Sequence, residues 1–226
     1  MNTFFLNKKS NNLIIFMLGW GMDERPLRPL FKAKSFSDIL FLYDYSKVDN
    51  FCFKTDFSQY KNITLVAFSC GVYMASLLKE KFPKFNLKIA INGTLNLFDE
   101  LKGVPKNSLE VMHNMSQGNY MEFREKYLVA SKAELDLFNK NQPFRNFENS
   151  FCELNMLQEY FKKHNEGYFE YDFAIISEND RILLTENQIR FWESAKTPYK
   201  IVKGGHFPFY NFESIESLID CATQPI

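Results

Sequence analysis

Ser69, Asp180 and His206 have the residue types and the chain order that nucleophilic acyl chemistry needs. Ser69 stands in Leu65-Val66-Ala67-Phe68-Ser69-Cys70-Gly71-Val72, where an apolar β-rich run meets a sharp turn and helical spacing follows. A turn of that kind presents the hydroxyl clear of the backbone. It also brings strand and helix so close that the residues two before and two after the serine must be small. Ala67 and Gly71 meet that demand, with alanine in place of the first glycine of the usual G-x-S-x-G. The helix that follows aims free N–H groups and the positive end of its dipole at the reaction centre. A bare strand-turn-helix with a helix-capping serine has the same local pattern, so the pentapeptide alone does not decide.

A serine hydroxyl is a poor nucleophile near neutral pH unless a base takes its proton. Of the three histidines, His113 and His164 fall in helical runs and read as structural or surface residues. His206 follows a predicted strand on Lys203-Gly204-Gly205, a loop that can set the imidazole over the C-terminal edge of the sheet. Open α/β sheets bind their ligands at that edge. The base needs an acid to fix its tautomer and stabilise the imidazolium. Asp180 leaves the apolar run Ile175-Ile176-Ser177 on a loop 26 residues before His206, room for one helix and one strand. A turn or N-cap role is the alternative for Asp180, and Asp172 and Glu178 stay open as the acid. The order Ser, Asp, His is the one α/β-hydrolases show. Each signal is weak alone, but all three sit at strand ends in that order.

An oxyanion hole needs two N–H donors aimed at the developing charge. The amide of Cys70, next to the nucleophile, is one candidate. The other is the amide of Trp20 in Leu18-Gly19-Trp20-Gly21-Met22-Asp23, where glycines let the backbone approach a substrate and the indole forms a pocket wall. A glycine turn with a core tryptophan is the plainer alternative.

These residues need a sheet to carry them. Strands are predicted at residues 3–6, 12–18, 38–43, 63–68, 87–91, 173–177 and 199–202, several of them continuous apolar runs such as Leu13-Ile14-Ile15-Phe16. Such runs suit strands buried on both faces. Helices are predicted from Ser69 to the stop at Phe82-Pro83, over 185–194 and over 212–221. The alternation gives an α/β class, a mainly parallel sheet with helices on both faces, and with the order Ser, Asp, His the expected fold is that of an α/β-hydrolase. From about 97 to 167 strand signals vanish and helical runs follow one another, at 120–130, 132–139 and 148–164. A helical insertion between sheet strands has the form of a lid over an active site, although an elaboration with no gating role would have the same periodicity.

At 226 residues the chain suits a single domain, 1–226, that includes this insertion. The 25 Phe and 11 Tyr pack a core by default, or line a pocket for an acyl chain. Zero formal net charge leaves no electrostatic footprint for nucleic acid. The early apolar run from Leu13 to Leu18 is far short of the ~20 residues that span a bilayer, and no cleavage site follows it. Four scattered cysteines and three histidines lack metal-ligand spacing, so no metal is expected, and the simplest compartment is a reducing cytoplasm.

Taken together, the chain resembles the BioG-type pimeloyl-acyl-carrier-protein methyl ester esterases of bacterial biotin synthesis. The resemblance is carried by Gly19-Trp20-Gly21, Leu42-Tyr43-Asp44-Tyr45, Val66-Ala67-Phe68-Ser69-Cys70-Gly71-Val72 and Ile91-Asn92-Gly93-Thr94. It continues through Ser177 to Asp180, Asn187-Gln188, Phe191-Trp192 and Gly205-His206. It implies hydrolysis of the methyl ester of pimeloyl-carrier protein to a carboxylate and methanol, with acyl carrier protein as partner and no cofactor. The residues alone reach an acyl hydrolase, so a general carboxylesterase or acyl thioesterase on the same triad is the enzyme alternative. A non-catalytic module of the same fold is the other. Between Phe98 and Tyr168 nine Lys or Arg stand against eleven Asp or Glu, so any carrier-docking patch must be local; Arg124, Lys126, Lys162 and Lys163 would form one if their helices lie side by side.

Overall fold

The computed structural model describes residues 1–32, 36–164 and 168–224, so the last three positions of the expected insertion, 165–167, lie outside the described residues. Seven strands form one sheet: β1 (Asn2–Leu6), β2 (Asn12–Met17), β3 (Asp38–Tyr43), β4 (Asn62–Phe68), β5 (Leu87–Ile91), β6 (Phe173–Ser177) and β7 (Tyr199–Val202). Their order across the sheet is β1-β3-β2-β4-β5-β6-β7. Edge strand β1 runs antiparallel to β3, and every other pairing is parallel.

The continuous apolar runs follow from this placement. Side chains alternate across a strand, so a strand covered on both faces must be apolar throughout. Ile14 and Phe16 of β2 join Phe41, Val66, Phe68 and Ile175 in one core, under the insertion and the C-terminal helix. Leu13, Ile15 and Met17 join Leu65, Ala67 and Ile176 in a second core on the opposite face, with Tyr73, Phe191 and Trp192. Ala67 and Ala90 keep that second layer thin where a helix crosses it.

The helices are α1 (Arg28–Lys32), α2 (Cys70–Leu77), α3 (Lys106–His113), α4 (Tyr120–Tyr127), α5 (Lys132–Lys140), α6 (Phe147–Lys163), α7 (Thr185–Ala195) and α8 (Ile215–Thr223). Helix α2 ends earlier than its sequence spacing predicts, and a 3-10 turn at Lys79–Lys81 carries the chain on towards Pro83. Helix α8 begins at Ile215 instead of 212, because Ser214 and Ser217 cap each other's backbone there. Between β5 and β6 the chain forms α3 to α6 and no strand among the described residues. Among the described residues, no helix is long and apolar enough to cross a membrane.

The parallel strands end at one edge of the sheet. There the loops after β2, β4, β5, β6 and β7 converge, and strand order reverses at β2, between its neighbours β3 and β4. That switch point is where an open α/β sheet leaves a crevice for a ligand.

Candidate active site

Ser69 occupies the turn between β4 and α2 with φ 55° and ψ −125°, a backbone region that non-glycine residues adopt at a cost of roughly 1–3 kcal/mol. Its N–H donates to Ile91 O at 2.9 Å and its carbonyl accepts from Val72 N at 3.0 Å, so both sides of the turn are fastened. The chain returns close to β2 here. A Cβ on Gly71 would stand 2.6 Å from Met17 O and 2.8 Å from Leu18 O, both backbone atoms that cannot give way. A Cβ on Gly93 would meet Ser69 O at 2.4 Å. Ser69 is the N-cap of α2, yet its hydroxyl makes no capping bond. It faces His206 instead, with Oγ 2.9 Å from Nε2.

His206 follows β7 on a loop in which Gly204 takes φ +121°, a conformation that side-chain-bearing residues rarely adopt. The imidazole is buried, packed against Phe68 with ring centroids 5.1 Å apart. On its other side Nδ1 lies 2.7 Å from Asp180 Oδ2. Asp180 sits on the loop after β6, and its Oδ1 accepts from the N–H groups of Ile182 and Leu183 at 2.9 and 3.0 Å. The carboxylate thus has the turn role and the imidazole role together. As an acceptor it places the ring proton on Nδ1, which leaves Nε2 to accept the Ser69 hydroxyl. The other two acids do not reach the ring. Asp172 pairs with the Lys88 N–H at the start of β6, and Glu178 is exposed.

Two amides with no backbone acceptor among the described residues border Ser69: those of Trp20, in the loop after β2, and Cys70, at the start of α2. Both reach the Cys70 sulfur. They pull its pKa down, while burial pushes the thiol well above its ordinary value, so the sulfur stays protonated. Trp20, Cys70, Phe68 and His206 line a narrow pocket with a cavity volume of only about 30 Å³, which Leu97, Met112, Leu128, Leu154 and Leu157 close with apolar side chains. The Trp20 indole forms part of its wall and donates to Ser150 O on α6.

Two residues that hold this arrangement were named in the sequence only within the segments that carry the family resemblance, with no role given to them. Asn92, at φ 44° just past β5, donates to His206 O at 2.8 Å and to Ser177 Oγ at 2.7 Å, and accepts from Ser177 N at 2.7 Å. It ties the histidine loop to the end of β6. Gln188, fully buried on α7, donates to Asp180 Oδ2 at 3.0 Å and to Leu183 O at 2.7 Å, leaving its own Oε1 without a partner among the described residues. The local signals were an Asn-Gly pair at a strand end and an amide on the apolar face of a helix.

The four basic residues do not form one patch. Arg124 is buried with its guanidinium 4.3 Å over the Tyr120 ring, and Lys162 pairs with Glu159 at 2.8 Å. Phe147, at the start of α6, packs on Tyr120, so Lys162 and Lys163 lie at the far end of a helix about 25 Å long. Among the described residues no group of three or more His, Cys, Asp or Glu side chains is placed to hold a metal, and the four cysteines are free thiols.

The family described as "Pimeloyl-ACP methyl esterase BioG" matches residues 1–218. A malonyl-[acyl-carrier protein] O-methyltransferase of Bacteroides fragilis (strain 638R) is 30% identical over 199 residues, covering 86% of this chain. The chain spans only 39% of that protein's length. The crystal structure of BioG from Haemophilus influenzae aligns with a TM-score of 0.85 at 24% identity, covering 96% of this chain and 99% of that one. An esterase from Exiguobacterium antarcticum aligns at a TM-score of 0.66 and 13% identity, covering 98% and 95%. At these identities the two structures establish the α/β-hydrolase fold.

Proposed function

The chain belongs to the BioG family of pimeloyl-ACP methyl esterases, a family of carboxylic ester hydrolases, and on that premise we propose that it is a serine esterase of biotin synthesis. Its substrate is the methyl ester of a pimeloyl-acyl-carrier protein. The observation that carries the reading is the unbroken hydrogen-bonded chain Ser69–His206–Asp180 at the floor of an apolar pocket.

In this reading the Ser69 Oγ attacks the ester carbonyl as His206 Nε2 takes its proton. Asp180 holds the imidazole in the tautomer that can accept and stabilises the imidazolium. The tetrahedral oxyanion receives the N–H groups of Trp20 and Cys70. His206 then returns the proton to the methoxy oxygen and methanol leaves. Water, deprotonated by the same ring, attacks the acyl-enzyme, frees the carboxylate and restores the hydroxyl. The helical insertion acts as the lid over the acyl chain, and its apolar side chains fit methylenes.

Among the described residues that lining contains no Lys or Arg, which supports a substrate whose far end is carrier-linked over one ending in a free carboxylate. The test is steady-state hydrolysis of three esters: the carrier-linked methyl ester, free monomethyl pimelate, and a short neutral ester. The carrier-linked ester is expected to have the highest kcat/KM, and monomethyl pimelate the lowest. Equal values for the carrier-linked and short neutral esters would make this a general carboxylesterase.

A further inference from the structure

A buried charge network beneath the insertion has no part in the steps above. Glu153, on α6, is fully buried among apolar side chains. Its Oε2 accepts from Gly21 N at 3.0 Å and its Oε1 from Tyr45 N at 2.9 Å. Arg145, also buried, donates to the same Oε2 at 3.2 Å and pairs with Asp44 at 3.3 Å. A buried carboxylate is costly unless paired and hydrogen-bonded, and here both oxygens are committed. Burial holds its pKa above the ordinary glutamate value, with Arg145 the strongest opposing influence.

The location of this network gives it a function. Gly21 follows Trp20 directly, in the loop that supplies one proposed oxyanion donor. Three bonds hold that loop against α6 and against itself. The Trp20 indole N–H meets Ser150 O, the Gly21 N–H meets Glu153, and the Met22 N–H closes on Gly19 O at 3.3 Å. Ser150 and Glu153 stand three residues apart and so share one helix face. The Tyr45 hydroxyl supports the loop from below by donating to Leu18 O at 2.7 Å. The amides of Gly21 and Met22 are thereby occupied by oxygen acceptors, while that of Trp20 has no backbone acceptor among the described residues and meets only the weakly accepting sulfur of Cys70, beside Ser69.

We propose that Glu153 is a positioning residue for the oxyanion hole, holding the Trp20–Gly21 peptide so that the Trp20 N–H faces the carbonyl attacked by Ser69. The insertion then builds part of the hole as well as covering it, and α6 cannot swing away without releasing the donor loop. This inference rests on the triad reading above.

Glu153→Gln tests it, because an amide of the same size has one acceptor oxygen and must turn its NH2 group towards another donor. In the folded variant kcat is expected to fall on the order of 10–100-fold, somewhat less than loss of a whole donor. KM should stay within about threefold, since the hole acts on the transition state. Affinity for a trifluoromethyl ketone, which forms an anionic tetrahedral adduct with the serine, should fall by the same factor as kcat. Glu153→Asp, one methylene shorter, should show the same split. Wild-type kcat in a folded variant would overturn the proposal, as would a fall in kcat without the matching loss of ketone affinity. If neither variant folds, Glu153 serves stability and the proposal is wrong. Failure of the underlying reading is distinguishable, because Ser69→Ala would then keep its activity.

Discussion

Ser69 carries two properties that pull in opposite directions, a conformation unfavourable for any residue with a Cβ and a hydroxyl aimed at an imidazole. Replacing it separates them. Ser69→Ala keeps the Cβ and should cut turnover on the order of 10⁴–10⁶-fold, because a triad acts as a unit. Ser69→Gly should be equally inactive yet more stable than Ser69→Ala by about 1–3 kcal/mol in chemical denaturation, since glycine adopts this region without the steric cost. Equal stability of the two variants would remove the case for strain at the turn. Asp180→Asn should cost about 10⁴ in kcat, by analogy with the acid of other serine triads. That Ser69, His206 and Asp180 come together was legible in the sequence, because each sits at the end of an apolar run in a recognisable order. The roles of Asn92 and Glu153 were not, because their partners are remote: Asn92 reaches His206 across 114 positions and Glu153 reaches Gly21 across 132. A polar residue at apolar helical spacing signals such a partner without identifying it. Glu153, on the same face as Leu154, Leu157 and Tyr160, is an example.

The inner strands could be read directly, because a strand buried on both faces favours apolar residues at successive positions and so appears as a largely apolar run. Helices α1 and α3 could not. The first has five residues with Pro29 among them, and the second follows an N-cap, Pro105, that makes no side-chain capping bond, and buries only Met112. Tertiary contacts, not local preference, hold such segments. The crossing of β2 and α2 is the element-level feature that the site depends on most. Gly71→Ala would push a methyl group to 2.6 Å from Met17 O, so strand and helix must separate and Ser69 must move with them. That variant should lose stability in a denaturant titration and lose most of its hydrolytic activity. A fully active, wild-type-stable Gly71→Ala would show that the close approach is dispensable. Helix α8, distant from the chemistry, should respond differently: Ser214→Ala removes a capping box and costs about 1 kcal/mol with turnover unchanged.

At the scale of the molecule, the balanced charge leaves few electrostatic levers, and the buried Glu153 is one of them. Its folded-state pKa is raised, so the folded chain binds that proton more tightly than the unfolded chain does. Its contribution to stability is therefore present below the ordinary glutamate pKa and lost as pH rises through the raised value. The stability of the wild type relative to Glu153→Gln should fall as pH rises across that window, measured as the difference in Tm. A difference that stays flat or grows with pH would contradict the shift. Lys162, at the far end of α6 and already paired with Glu159, should have no part in carrier recognition, so Lys162→Glu should leave kcat/KM for carrier-linked and free esters alike. All of this presupposes that one serine performs the chemistry, and labelling by a fluorophosphonate, read as intact mass and mapped by peptide, tests that most directly. The account predicts one label per chain, located on Ser69, with hydrolysis of the methyl ester lost in step with labelling and no label on Ser69→Ala. Labelling of a different residue, or hydrolysis that survives full modification of Ser69, would contradict it.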